Sequence, residues 1–85
     1  MVDNYKAELI NNIEKIHTTE LGFLRIIKNL KIQNENIIEF CKDCIVDDIS
    51  FVEKKGKNYY VYWNKYKFTI NSYSFTIITA HRILD

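Results

Sequence analysis

Proline is absent from this chain of 85 residues, glycine occurs only twice, and there is no low-complexity tract or internal repeat. Linkers between domains are rich in proline and glycine, so their absence predicts one domain, residues 1–85, without an internal boundary. No apolar run approaches the roughly 20 residues that span a bilayer, and the N-terminus lacks the features of a signal peptide. We therefore expect a cytoplasmic protein with no membrane partner.

Glycine-rich phosphate-binding motifs are missing as well. Neither G-x-x-x-x-G-K-[ST] nor G-x-G-x-x-G occurs, and no two carboxylates have catalytic spacing. Nucleotide hydrolysis and dinucleotide binding commonly depend on such glycine loops, because their backbone N–H groups surround the phosphates. The sequence therefore argues against both activities.

Cysteine is scarce, but Cys41 and Cys44 form a C-x-x-C motif. In thioredoxin-like proteins this motif opens a helix after a strand, where the helix dipole lowers the thiol pKa. Here it falls late in a predicted helix and on its apolar side. A zinc site would require His17 and His81 as the two remaining ligands. We interpret the two cysteines as buried thiols and expect neither a metal nor a cofactor.

Charge is divided unequally between two halves of the chain. Residues 1–48, the helical half, contain six Lys or Arg against nine Asp or Glu, whereas residues 49–85, the sheet half, contain six against two. The formal charges of the halves are −3 and +4, which agree with the +1 of the whole chain. A basic half can bind a polyanion although the whole chain is near neutral. The alternative is a lysine-bearing sheet edge that discourages aggregation.

Apolar residues before residue 48 recur at steps of three and four, the spacing of amphipathic helices. The first predicted helix carries Val2, Tyr5, Leu9, Ile13 and Ile16. The second begins at Thr18 or Thr19, either of which can accept a hydrogen bond from a free N–H. It carries Leu21, Leu24, Ile27 and Leu30. The third begins near Asn34 and carries Ile37, Ile38, Cys41, Cys44 and Ile45.

After residue 48 the chain becomes rich in β-branched and aromatic residues, which are typical of strands. The predicted strands are Ile49–Lys54, Tyr59–Trp63, Tyr66–Asn71 and Phe75–Ala80. Gly56 supplies a positive φ in the first turn. Because the connections are short, neighbouring strands must run antiparallel. The predicted fold is α+β, with two to three N-terminal helices packed on one face of a four-stranded antiparallel meander sheet.

The segment Tyr59–Trp63 puts aromatic side chains on both faces of one predicted strand, because successive side chains alternate. The aromatic residues on the solvent side, interleaved with Lys57, Lys65 and Lys67, resemble the stacking and charged groups of single-strand binding surfaces. Tyr60 and Lys57 are therefore predicted to position an RNA strand. The alternative is cross-strand aromatic pairing that only stabilises the sheet.

Two histidines are candidates for acid–base chemistry. His17 precedes the second helix, and His81 lies with Thr79 at the end of the last strand. If the two imidazoles converge, one can remove the 2′-hydroxyl proton of RNA and the other can protonate the leaving oxygen. Arg25 and Arg82 would hold the phosphate, and Thr79 would orient the site. In this hypothesis a ribonuclease needs no metal ion.

Five segments carry a resemblance to a known family, namely residues 17–22 (HTTELG), 25–26 (RI), 29–30 (NL), 56–61 (GKNYYV) and 73–81 (YSFTIITAH). Over residues 17–82 the chain resembles a small uncharacterised bacterial family that is frequent in Firmicutes with AT-rich genomes. The resemblance implies no particular activity.

The order of elements is more remotely similar to the barnase, EndoU, colicin and RelE-like ribonuclease fold. That resemblance implies polar catalytic residues at a helix start and on the sheet. The chain departs from it by lacking an obvious glutamate base on the sheet, so the implied site is histidine-based. The leading hypothesis is a toxin-like domain that binds RNA and can cleave it without metal. The alternative is a non-enzymatic protein-interaction module, of mobile-element or phage origin, whose sheet docks another protein.

Overall fold

The computed structural model describes residues 4–31 and 36–83. The α-helices are α1 (Tyr5–Asn11), α2 (Glu20–Leu30) and α3 (Ile37–Val46), and a short 3₁₀ turn covers Ile13–Lys15. The strands are β1 (Phe51–Lys55), β2 (Asn58–Trp63), β3 (Tyr66–Asn71) and β4 (Ile77–Arg82). The strands form one antiparallel sheet in the order β1-β2-β3-β4, and the helices pack against it. The predicted α+β fold with a meander sheet is confirmed.

Local sequence accounts for the turns of the sheet. Gly56 adopts a φ of 60° between β1 and β2, and Asn64 adopts a φ of 54° between β2 and β3. Glycine and asparagine tolerate this left-handed region better than other residues. The predicted turns and the bounds of β3 are confirmed, and β2 is longer than predicted by one residue, Asn58.

The last strand begins later than predicted and ends later. The prediction placed it at Phe75–Ala80, but Phe75 has a φ of 58°, which is incompatible with a strand. Thr76 then forms an isolated parallel bridge with His17, and β4 extends through His81 to Arg82. The strand's start is therefore decided by a contact with the segment before α2.

The predicted first helix is divided. Asn4 caps α1 by accepting from the N–H of Ala7, but the helix ends at Asn11, and the following residues form the 3₁₀ turn. Asparagine is a poor residue for helix interiors, which favours an end at this point. Leu9 and Ile16 of the predicted apolar stripe are nevertheless buried. Val2, which opens that stripe, lies outside the described residues.

The second helix buries a different side from the one that carries Leu21 and Leu24. Thr19, not Thr18, caps α2 by accepting from the N–H of Gly22. The buried side consists of Gly22, Ile26 and Leu30, whereas Leu21 and Leu24 are 67% and 59% exposed. The prediction that these two leucines belong to the core is therefore wrong.

Gly22 explains the orientation of α2. A Cβ atom at this position would lie 3.3 Å from the carbonyl oxygen of Ile77 and would overlap the Thr18 hydroxyl. Thr18 in turn donates to that same carbonyl at 2.8 Å. Glycine alone permits this close approach of α2 to β4. The helix therefore turns Ile26 and Leu30 towards the core, and Leu21 and Leu24 lie on the opposite, exposed side.

The core lies between the helices and one face of the sheet. From α3 the core receives Ile37, Cys41, Cys44 and Ile45, as predicted; the predicted start at Asn34 lies outside the described residues. Phe40 of α3 makes edge contacts with the rings of Trp63, Tyr66 and Phe68. Among the residues that the structure describes, no helix is long and apolar enough to cross a membrane.

Candidate nucleic-acid interface

The face of the sheet that points away from the core, here called the outer face, carries aromatic, charged and hydroxyl side chains. Strand alternation and the register assign it by exclusion, because Val52, Val61, Phe68 and Ala80 occupy the opposite, helix-facing side and are buried. The outer face consists of Phe51, Glu53, Lys55, Asn58, Tyr60, Tyr62, Lys67, Thr69, Asn71, Thr79 and His81.

Two rows of side chains cross the outer face from β1 to β4. The register places Phe51, Tyr62, Lys67 and His81 in the first row. It places Glu53, Tyr60, Thr69 and Thr79 in the second. The aromatic side chains therefore lie towards β1 and β2, and the polar and basic side chains lie towards β3 and β4.

Three rings make up the aromatic part of the outer face. Phe51 is 62% exposed, and its ring centroid lies 6.0 Å from that of Tyr62. Lys67 extends over the other side of the cluster, with its Nζ 4.8 Å from the Tyr60 centroid and 5.6 Å from the Tyr62 centroid. An ammonium group over a ring is held by the ring quadrupole, an interaction of about 0.5–1 kcal/mol at exposed sites. The rings are thus ordered by their neighbours while a ligand can still reach them.

Glu53 places a carboxylate among these rings. The Tyr62 hydroxyl donates to Glu53 Oε2 at 2.6 Å, and Lys55 Nζ lies 3.9 Å from Oε1. The hydrogen bond to the carboxylate is the main cause that raises the pKa of Tyr62 to about 12. Glu53 is therefore oriented by Tyr62 and keeps lone pairs for a further donor.

The structure separates His17 from His81. His17 Nε2 lies 3.0 Å from Thr76 Oγ1, just before β4 begins, whereas His81 lies near its end. From Thr76 to His81 an extended strand covers about 16 Å, at roughly 3.3 Å per residue. The two imidazoles therefore cannot act on one phosphate together, contrary to the convergence that the histidine hypothesis required.

His17 belongs to a polar chain of its own. Its Nδ1 lies 2.8 Å from the Lys15 carbonyl, which can only accept, so in the neutral ring Nε2 accepts from the Thr76 hydroxyl. The Thr76 and Ser74 hydroxyls are 2.7 Å apart. Neither Ser74 nor Thr76 was a sequence candidate, because only the bridge between distant segments brings them to His17. The arrangement joins the segment before α2 to the start of β4.

The remaining candidates are dispersed. The register places Thr79 in the second row, but its hydroxyl accepts from Asn29 of α2 at 3.4 Å and its neighbour Thr69 is buried, so α2 reaches this end of the outer face. Arg25 is exposed one turn before Asn29 on α2. Arg82 pairs with Tyr66, so strand alternation assigns its side chain to the helix-facing side, away from His81.

Lys57 lies in the β1–β2 turn, at the end of the sheet opposite His81. Its carbonyl accepts from the N–H of Ser72, and its side chain is exposed. Of the predicted site residues, Tyr60, Thr79 and His81 therefore share the outer face. Phe51 and Glu53 were missed, although alternation within the first predicted strand could have placed them on the same side as each other.

The C-x-x-C cysteines are both buried in α3. Burial raises the pKa of Cys44 to about 12 and that of Cys41 well above its ordinary value. A thiol that remains protonated is a poor nucleophile and a poor metal ligand. Within residues 4–31 and 36–83, no three side chains of His, Cys, Asp or Glu lie close enough together to hold a metal ion.

Comparison with known families identifies the class of this domain. Residues 10–81 match the sequence model described as "Protein of unknown function (DUF3781)", so the chain belongs to that family. No curated protein and no solved structure matches the chain significantly. The resemblance to an uncharacterised family is confirmed, and the comparisons lend no support to the more remote resemblance to ribonucleases.

Proposed function

We propose that this domain binds single-stranded RNA on the outer face of its sheet. The observation that carries the proposal is the cluster of accessible rings, Phe51, Tyr60 and Tyr62, with the Lys67 ammonium over two of them. Base stacking on an aromatic side chain contributes about 1–3 kcal/mol per base and tolerates any base, because every base has a π-face.

The charges around the rings suit an RNA backbone. Lys67 can leave the ring faces when bases occupy them and neutralise a phosphate as a point charge. His81 continues the same row beyond Lys67, and Lys57 lies at the other end of the sheet. The three rings lie on the neighbouring strands β1 and β2, about 4.8 Å apart, and Lys67 of β3 extends over two of them.

In this proposal the domain binds RNA, and no pair of histidines cleaves it. His17 and His81 lie at opposite ends of β4, and His17 is engaged with Thr76 and Lys15. His81, which is exposed, then contributes as a contact on the outer face. Labelled RNA incubated with the protein and EDTA should remain intact. Cleavage by the wild type and not by His81→Ala would instead establish a metal-independent ribonuclease.

The direct test is fluorescence anisotropy with a labelled single-stranded RNA of ten nucleotides at low salt. A variant with Tyr60→Ala and Tyr62→Ala should bind at least about tenfold more weakly, because two stacking platforms are lost. Tyr73→Ala is the matched control, since Tyr73 is 78% exposed and lies in the turn between β3 and β4, outside the strands that form the outer face. Equal losses in the double variant and in Tyr73→Ala, or no binding by the wild type, would reject the proposal.

A protein-interaction role has its own observation in its favour, on a different surface. Leu21 and Leu24 are exposed on α2, on the same side as Lys28 and next to Arg25. An acidic amphipathic helix of a partner would complement both the leucines and the cations. Leu21→Ser with Leu24→Ser should then abolish capture of such a partner and leave RNA affinity unchanged. Loss of RNA binding in this variant would show that the two surfaces are not independent.

A further inference from the structure

The outer face contains one feature that RNA binding by itself does not explain. Glu53 is a carboxylate among the three rings, opposite Tyr60 on the neighbouring strand. A carboxylate repels phosphate, so its presence in a polyanion-binding face weakens binding wherever the RNA backbone passes. Glu53 is therefore compatible with bound RNA only where it meets a hydrogen-bond donor, which is either a 2′-hydroxyl or the edge of a base, and only the base edge differs between nucleotides.

We infer that Glu53 makes this face selective for guanine, an inference that rests on the proposed RNA binding. Guanine presents two adjacent donors, N1–H and the N2 amino group, on its Watson–Crick edge. A carboxylate can accept both in parallel, in the same way as it accepts two parallel N–H groups from arginine. Adenine and cytosine offer one amino group on that edge, and uracil offers one N3–H, so each makes a single such bond.

The geometry around Glu53 supports a role in base recognition. Its side chain is 28% exposed, so a base edge can reach it, and Tyr62 fixes its orientation through the 2.6 Å hydrogen bond. Lys55, whose side chain is 73% exposed, lies 3.9 Å away, a weak surface pair that an incoming base can displace. A base stacked on Tyr60 or Tyr62 would bring its edge towards this carboxylate.

The experiment measures the affinity of the domain for five RNAs of nine nucleotides. All positions are uridine except the central one, which is guanosine, adenosine, cytidine, uridine or inosine. The wild type should bind the guanine RNA about tenfold more tightly than the all-uridine RNA, the size of effect expected of one bidentate pair. Inosine keeps N1–H and lacks the 2-amino group, so its RNA should bind with intermediate affinity.

Glu53→Gln should remove the guanine preference while binding the all-uridine RNA as tightly as the wild type or more tightly, because a negative charge is lost. Tyr62→Phe keeps the ring and removes the hydroxyl that orients Glu53, so it should reduce the guanine preference more than the affinity for uridine. Glu39→Gln removes the same charge from an exposed position on α3 and should change neither quantity.

The possible outcomes test guanine selectivity and RNA binding separately. Binding of all five RNAs with equal affinity would overturn guanine selectivity and leave RNA binding intact. A guanine preference that persists in Glu53→Gln would assign recognition to another group and overturn the role of Glu53. Failure of the wild type to bind any of the RNAs would remove the proposed function, and the inference with it.

Discussion

The two faces of β2 carry similar aromatic residues with different partners. On the helix-facing side, the Tyr59 hydroxyl donates to Glu8 of α1 at 2.6 Å, and Trp63 Nε1 donates to Asp47, just after α3, at 3.1 Å. On the outer face, Tyr62 donates to Glu53 of the neighbouring strand. Aromatic side chains on one side therefore connect the sheet to the helical half, whereas Tyr62 on the other side bonds within the sheet.

This difference separates stability from function along a single strand. Removal of a helix-facing ring leaves a cavity or breaks a link between helix and sheet. Removal of an outer ring leaves the contacts between the helices and the sheet in place. Substitutions on the helix-facing side should therefore lower the stability of the fold, whereas substitutions on the outer face should weaken RNA binding.

The largest effect is expected from truncating one phenylalanine on each face. Phe68→Ala should lower the free energy of unfolding by about 3–5 kcal/mol, because Phe68 is fully buried against Phe40. Phe51→Ala should change it by less than about 0.5 kcal/mol, because Phe51 is mostly exposed, and should weaken RNA binding instead. Urea denaturation measures both.

Ile70→Val replaces Phe68→Ala if the larger truncation prevents folding. Ile70 is also fully buried, and loss of one methyl group there should cost about 0.5–1.5 kcal/mol. A stability loss in Phe51→Ala as large as that in Ile70→Val would contradict the contrast between the faces.

Removal of one hydroxyl from each face gives a smaller contrast. Tyr59→Phe should lower the free energy of unfolding by about 1 kcal/mol, because a buried ring loses its bond to Glu8. Tyr62→Phe should lower it by less than about 0.5 kcal/mol, since its ring is partly exposed to water. Equal losses in the two variants, measured by urea denaturation, would show that the helix-facing bond has no special weight.

Alkaline titration tests both hydroxyls together. Burial, followed by the bond to Glu8, raises the pKa of Tyr59 to about 12, and the bond to Glu53 raises that of Tyr62 to about 12, from an ordinary pKa near 10. Because the folded-state pKa values are raised, the stabilisation is present below about pH 10 and is lost as the pH rises towards 12. Absorbance at 295 nm should show late ionisation of Tyr59 and Tyr62, with one late step fewer in Tyr59→Phe or in Tyr62→Phe. Loss of neither late step in these variants would contradict the assignment.

The smallest effect concerns Asp47 at low pH. The bond from the Ile49 N–H, followed by the bond from Trp63, lowers the pKa of Asp47. A lowered folded-state pKa means that the stabilisation is present above the ordinary aspartate pKa of about 3.9 and is lost as the pH falls below it. Fluorescence of the single tryptophan should report this loss. Asp47→Asn should abolish this fluorescence change at low pH, and Asp48→Asn should not.

The periodicity of apolar residues predicts the helices and strands. It does not predict where each one ends or which side of it is buried. The meander and the turn at Gly56 follow from residue alternation and local backbone preference. The orientation of α2 does not, because Leu21 and Leu24 have the same helical spacing as core residues. The close approach of Gly22 to Ile77 decides it, and that contact joins segments far apart in sequence.

The candidate site shows the same division. Alternation by itself indicates that Tyr60 and Tyr62 share a face opposite Tyr59 and Trp63, but both faces are aromatic, so the pattern cannot choose the buried one. Packing of α1 and α3 made that choice, because their side chains cover Tyr59 and Trp63.

The sequence by itself determined the order of elements, the antiparallel meander and the basic, aromatic character of the second half, because these depend on local spacing and composition. Only the tertiary structure decided that His17 and His81 lie apart and that Phe51 and Glu53 join Tyr60 and Tyr62 on the outer face. The reason is physical: distances between segments are set by strand register and by the packing of helices on the sheet, which no local pattern contains.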